Sequence, residues 1–115
     1  MKRGDIVLIS YPFTDLSSQI VRPALVVSTE DFHRCGEEAI FLFITKKRYY
    51  TPYDFIVDSS NSDFNLTGLT LSSTFRVGKI TTLERKLAKR YLGKASPKIM
   101  EEVSSRLIKL LKIPS

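Results

Sequence analysis

The densest chemistry in the sequence is the run KKRYYTPYD, in which Lys46, Lys47 and Arg48 precede Tyr49, Tyr50 and Tyr53. Cations beside aromatic rings suit single-stranded RNA, because unstacked bases need a π-face and the backbone needs neutralising. An edge loop whose tyrosines cover the mouth of a barrel accounts for the same residues equally well. A second concentration of charge lies at Arg76, Lys79, Arg85, Lys86, Lys89, Arg90 and Lys94, opposed only by Glu84. The net charge of +6 falls in the second half of the chain: residues 1–57 hold seven Lys/Arg against seven Asp/Glu, and residues 58–115 hold eleven against five. Such a patch attracts phosphates and speeds encounter with nucleic acid. A solvated cationic face reads the same residues without a partner.

The rest of the inventory removes most other chemistries. His33 is the only histidine, which excludes paired-histidine catalysis and argues against a metal site; it reads as a surface or structural residue. Cys35 is the only cysteine, so no intrachain disulfide can form and a reducing compartment is expected. There is no Gly-rich phosphate loop, no HExxH and no nucleophile elbow. The carboxylates Asp5, Asp15, Asp54, Asp58 and Asp63 are dispersed in turns, which disfavours a two-metal nuclease, although residues distant in sequence can still meet in space.

What remains is chemistry by arginine, hydroxyl and backbone. One reaction suits it: cleavage of RNA in which the substrate's own 2′-OH attacks the neighbouring phosphate. A preplaced nucleophile carries effective molarities on the order of 10⁵ to 10⁸ M. The protein then supplies alignment, charge neutralisation on the phosphorane, and proton transfers of roughly 10² to 10⁴-fold each. No metal or cofactor is called for.

These residues have to be held by a small framework. At 115 residues the chain fits one domain, 1–115, able to bury about two thirds of its unfolded surface. No apolar stretch approaches the roughly 20 residues that span a bilayer, and the N-terminus lacks a signal peptide's apolar core, so a soluble cytoplasmic protein without membrane contact is expected. The organising stretch is Lys2 to Ser28, where the β-branched runs Ile6 to Ile9 and Ala24 to Val27 flank a polar segment whose Asp15, Ser17 and Ser18 suit a turn. That is a hairpin with a long irregular arm. Arg22-Pro23 stands at the entrance of its second strand, where a proline can sit without breaking a ladder and an arginine is held at a fixed strand mouth.

Further along, Thr29 to Gly36 reads as a loop or single helical turn capped by Thr29. Ala39 to Thr45 reads as a buried central strand, and Phe55 to Asp58 as a further strand. Ser59 to Leu71 is a surface loop containing Gly68. Ser73 to Leu83 alternates with period two, with Gly78 marking a bulge or a close backbone approach. Glu84 to Leu92 reads as a short helix or turn stopped by Gly93. The clearest helix is the last, with Ser96 as cap, Pro97 at its first position, Glu101 and Glu102 in or beside the first turn, and Lys109 and Lys112 near the last. Its stripe of Ile99, Met100, Val103, Leu107, Leu110 and Leu111 should pack on the strands. Five to seven strands and a terminal helix make a mainly β (α+β) small barrel.

From Lys2 to about Leu111 the chain resembles the PemK/MazF-like toxins of type II toxin-antitoxin systems. The resemblance rests on RGDIV at Arg3 to Val7, RPALVVS at Arg22 to Ser28, Ile44-Thr45, Gly68-Leu69, the STFRVGKITTLERK stretch, and LGKAS before the amphipathic helix. It implies an SH3-like barrel, a homodimer, and a metal-independent mRNA interferase that leaves a 2′,3′-cyclic phosphate and a 5′-OH. It also implies neutralisation by a cognate antitoxin, expected to be an acidic, partly disordered segment over the basic groove. By position, Arg22 matches the family's catalytic arginine and Thr45 its catalytic threonine, while Arg76 lies where some members place a further functional arginine. The RNA-binding set is then Lys46, Lys47, Arg48, Tyr49, Tyr50 and Lys79. Gly78 stands where many relatives carry an acid, and residues 12–21 lack the histidine that some members use. Two other functions suit the same fold: poisoning a protein target such as DNA gyrase, or binding RNA without cutting it.

Overall fold

The computed structural model describes residues 1–11 and 20–114. The turn assigned to Asp15, Ser17 and Ser18 lies outside the described residues. On either side of it, β1 (Asp5–Tyr11) and β2 (Ile20–Val26) pair antiparallel from Ile6↔Leu25 to Tyr11↔Ile20. The helical turn α1 (Glu30–His33) is capped by Thr29, whose hydroxyl accepts from the Phe32 amide at 3.3 Å. His33 is structural: it is buried, and its Nε2 lies 2.6 Å from the Ser28 hydroxyl, which accepts from the Ile40 amide.

The central strand β3 (Glu38–Thr45) pairs with β2 on one side and with the long β5 (Ser73–Glu84) on the other, and β4 (Asp54–Val57) lies outside β5. Of the short helix or turn expected at Glu84 to Leu92, only the turn forms, and only at its start. Only Arg85–Leu87 makes a 3-10 turn, and Ala88–Lys94 is a strand, β6, that pairs along the outer edge of β1. Local composition favoured a helix there, but an unpaired edge of β1 offers a ladder of backbone partners that a three-residue turn cannot match. Gly93 is therefore no helix stop. It sits inside β6 because a Cβ there would lie 2.3 Å from the Leu66 carbonyl oxygen.

The sheet runs β4-β5-β3-β2-β1-β6, antiparallel throughout. The mainly β class with a C-terminal helix is as expected, but β4 and β6 do not pair, so the barrel is open. One face of the sheet, with Ile6, Leu25, Leu42, Ile44, Phe75 and Val77, packs against Ile99 and Val103 of the terminal helix α2 (Pro97–Leu111). The opposite cluster of Val7, Ile9, Tyr11, Ala24, Val26, Phe41 and Leu83 is flanked by the partly buried Ile20, Phe43, Leu87 and Ala88. Ser96 caps α2, accepting from the Ile99 amide at 3.2 Å and donating to Asp63 at 2.8 Å. No acid occupies its first turn; Glu101 and Glu102 begin the second, so only the Lys109 end complements the helix dipole.

Candidate active site

Pro23 opens the site. The β2–β3 ladder holds Ala24↔Phe43, Leu25↔Leu42 and Val26↔Phe41 and goes no further, although β2 continues to Ile20 and β3 to Thr45. A proline has no N–H to donate, so the ladder ends at it. Continuing the register past that point sets Ile44 opposite Pro23 and Thr45 opposite Arg22, two residues on the same sheet face with no backbone bond between their strands. The strands part there into a cleft of about 310 Å³.

Arg22, Thr45 and Arg76, the three candidate catalytic residues, all line this cleft, together with Tyr49 and Lys79. Tyr11, Ile20, Phe43 and Ile44 complete its walls, and the Tyr11 and Phe43 rings lie 4.3 Å apart. Three cations, a hydroxyl and two phenols therefore face one space, and no carboxylate lines it among the described residues. Such a surface accepts an anion and offers apolar rings beside it. Burial pushes the Tyr11 phenol well above its ordinary value, with the charge of Arg22 pulling the other way, so the hydroxyl stays protonated at neutral pH.

Arg76 is held by an ion pair and an aromatic ring. It stands directly across the β4–β5 ladder from Asp54, whose Oδ1 accepts from its Nε at 3.1 Å. The other carboxylate oxygen accepts from the Thr51 hydroxyl at 2.7 Å. The Tyr49 ring lies 3.6 Å from the guanidinium carbon. The Asp54 side chain is only 3% exposed and that of Arg76 20%, so the pair is desolvated and its geometry held. Composition dismissed Asp54 as one dispersed acid among several. The signal that could have found it is the strand pairing, which sequence spacing does not reveal.

The remaining candidates are distributed around the cleft. Lys47 reaches back over Tyr49 at 5.3 Å, and its amide donates to the Thr45 hydroxyl at 3.2 Å, fixing that side chain. Lys46 lines an adjoining recess. Arg48 and Tyr50 line neither space; both are exposed on the loop, Tyr50 at 79%. The basic run from Arg76 to Lys94 is not one patch. Only Arg76 and Lys79 reach the cleft, Arg85 is committed to the carbonyls of His33 and Glu38, Lys86 pairs with Glu84 at 3.2 Å, and Lys89, Arg90 and Lys94 ride on the edge strand β6. Gly78 marks a shift of register between β3 and β5, as its position suggested, but a Cβ there would meet nothing within 4 Å, so no backbone crosses it. Among the described residues no three His, Cys, Asp or Glu side chains gather to hold a metal ion, and no helix is long and apolar enough to cross a membrane.

A family model described as "PemK-like, MazF-like toxin of type II toxin-antitoxin system" matches residues 2–111. Among solved structures, the chain is similar to a mycobacterial endoribonuclease in complex with its cognate antitoxin, at 21% identity and a TM-score of 0.78, with 100% of this chain and 98% of that one covered. It is also similar to MazE-MazF from Deinococcus radiodurans, at 19% identity and a TM-score of 0.80, covering 99% of this chain and 97% of that one. For the Mycobacterium tuberculosis toxin MazF-mt6 the values are 14% and 0.76, over 96% and 99%. At these identities the structural likeness establishes the fold. No curated protein matches the chain.

Proposed function

The chain belongs to the PemK-like, MazF-like toxins of type II toxin-antitoxin systems, and from that premise we propose that it is an endoribonuclease that cuts single-stranded mRNA at specific sequences without a metal ion. The observation that carries this reading is the meeting of Arg22 and Thr45 on the wall of one cleft, beyond the point where the ladder ends before Pro23, with cations and aromatic rings around them and no lining carboxylate among the described residues. In this reading the substrate's 2′-OH attacks the adjacent phosphorus, the P–O5′ bond breaks, and the products are a 2′,3′-cyclic phosphate and a 5′-OH end.

Arg22 is exposed at the cleft and neutralises the charge that builds on the non-bridging oxygens of the phosphorane. Its planar guanidinium presents fixed N–H donors and a positive charge, so it acts by charge and hydrogen bonds. Thr45, whose hydroxyl accepts from the Lys47 amide, keeps its own proton to donate to a non-bridging oxygen. Arg76 adds a second fixed cation, and Tyr49, Lys79, Lys46 and Lys47 hold the strand on either side. The protein acts as one domain over residues 1–115 in the cytoplasm, pairs as a homodimer, and is silenced by an acidic antitoxin segment laid over the cationic cleft.

The test incubates the purified protein in excess EDTA with a long single-stranded RNA of known sequence, alongside Arg22→Ala and Thr45→Ala, and maps the ends. Discrete cuts bearing 2′,3′-cyclic phosphates, lost by 10²-fold or more in each variant as expected for roughly 3 kcal/mol of transition-state stabilisation, support the reading. Intact RNA under conditions where the protein still arrests growth would sink it and direct attention to a protein target.

A further inference from the structure

The wall that carries Arg22, Ile44 and Thr45 has a second side. The same three residues line a smaller recess of about 90 Å³, closed by Pro23, Lys46, Leu69, Thr70, Leu71 and Ser73. A group held above Arg22 and Thr45 therefore has one space on each side of it. We propose that the smaller recess is a nucleotide subsite: it takes the base that neighbours the scissile phosphate on the side away from the aromatic cleft. This rests on the ribonuclease reading above, in which the phosphate sits at that shared wall.

The chemistry of the two spaces differs in kind. The larger has the rings of Tyr11, Phe43 and Tyr49, whereas the smaller has no aromatic ring among the described residues: beyond the shared Arg22 and Thr45 it offers aliphatic side chains, the Thr70 and Ser73 hydroxyls and the Lys46 ammonium. At about 90 Å³ it matches roughly three waters of liquid volume, enough for the edge of one base and not for a whole nucleotide. Leu71 is 54% exposed beside it, an apolar surface that a base would cover.

The loop bearing these residues is already built. Gly68 takes a left-handed φ of 73°, and the fully buried Thr67 accepts from the Leu69 amide at 3.1 Å while donating to the Phe64 carbonyl at 2.6 Å. Ser73 donates to the Leu71 carbonyl at 2.8 Å, and the Ser59 amide donates to Ser72 at 2.7 Å. A preorganised wall loses little freedom on binding and discriminates by shape.

The deciding experiment cleaves a randomised single-stranded RNA pool with the wild-type protein, Leu71→Ala and Tyr49→Ala, and sequences both ends at each cut. Leu71→Ala should relax base preference by roughly tenfold, the scale of a reshaped apolar pocket, at one position next to the cut, and Tyr49→Ala at a position on the opposite side. An unchanged profile for Leu71→Ala, or a change on the same side as Tyr49→Ala, overturns the proposal. If the wild type leaves the pool intact, the nuclease reading fails. The recess is then judged by titrating a short single-stranded RNA into methyl-labelled protein. Shifts of the Leu69 and Leu71 methyls together with Thr45 support a base-binding recess, and their absence overturns it.

Discussion

Arg76 and Asp54 form the pair on which the rigidity of the cleft's inner wall depends. Removing the arginine leaves a carboxylate 3% exposed with Thr51 as its remaining side-chain partner, whereas removing the aspartate leaves a guanidinium that already reaches solvent. Arg76→Ala should therefore destabilise the fold by about 3–5 kcal/mol in urea titrations, and clearly more than Asp54→Ala. Tyr11 makes the cleft sensitive to alkali. Burial raises its folded-state pKa above the ordinary value of 10.0, so the fold favours the neutral phenol. The corresponding stability is fully present below about pH 10 and is lost as pH rises through the higher folded value. Tyr11→Phe should flatten that alkaline loss, measured as urea midpoints from neutral pH upward, and an unchanged slope would contradict the assignment.

Elements meet at two of this protein's glycines. Gly68, which caps the 3-10 turn Asn65–Thr67, and Gly93 of β6 are pressed against each other's segments: a Cβ on Gly68 would lie 1.9 Å from the Leu92 carbonyl oxygen, and one on Gly93 2.3 Å from that of Leu66. Both contacts are with backbone, which cannot swing aside. Gly93→Ala should thus cost well above the about 1 kcal/mol of an average substitution. Gly78→Ala, at the irregular point of β5 with open space around it, should be neutral or gain about 0.4–1 kcal/mol by restricting the unfolded chain. Thermal unfolding of the two variants side by side distinguishes a packed glycine from a permissive one.

Across the whole molecule, charge is arranged more selectively than the net +6 suggests. The cations of the cleft and its rim (Arg22, Arg76, Lys79, Lys46 and Lys47) are separate from those on β6. If RNA follows the cleft, each phosphate contact contributes a slope of about −0.7 in log affinity against log salt. Lys47→Ala should lower the magnitude of that slope by about this amount, and Lys89→Ala should leave it unchanged, in fluorescence anisotropy with a short single-stranded RNA. Equal effects of the two substitutions would mean that binding is spread over the whole basic surface.

What the sequence determined by itself was local or additive. β-Branched runs made β1, the inner part of β2, and β3 legible, because alternation and strand length are read from neighbours. The Thr29 and Ser96 caps and the stripe of α2 were legible for the same reason. Arg22 and Thr45 became candidates through the ordered motifs around them rather than through chemistry of their own. The tertiary structure decided what depends on pairing. It turned Ala88–Lys94 into an edge strand, left the barrel open, dispersed the basic run, and set Asp54 opposite Arg76 across a ladder. It also placed Thr45 in line with Arg22, because a proline without an N–H ends one ladder while both strands run on. Register between distant strands is fixed by the packing of the whole sheet, and no window of sequence contains it.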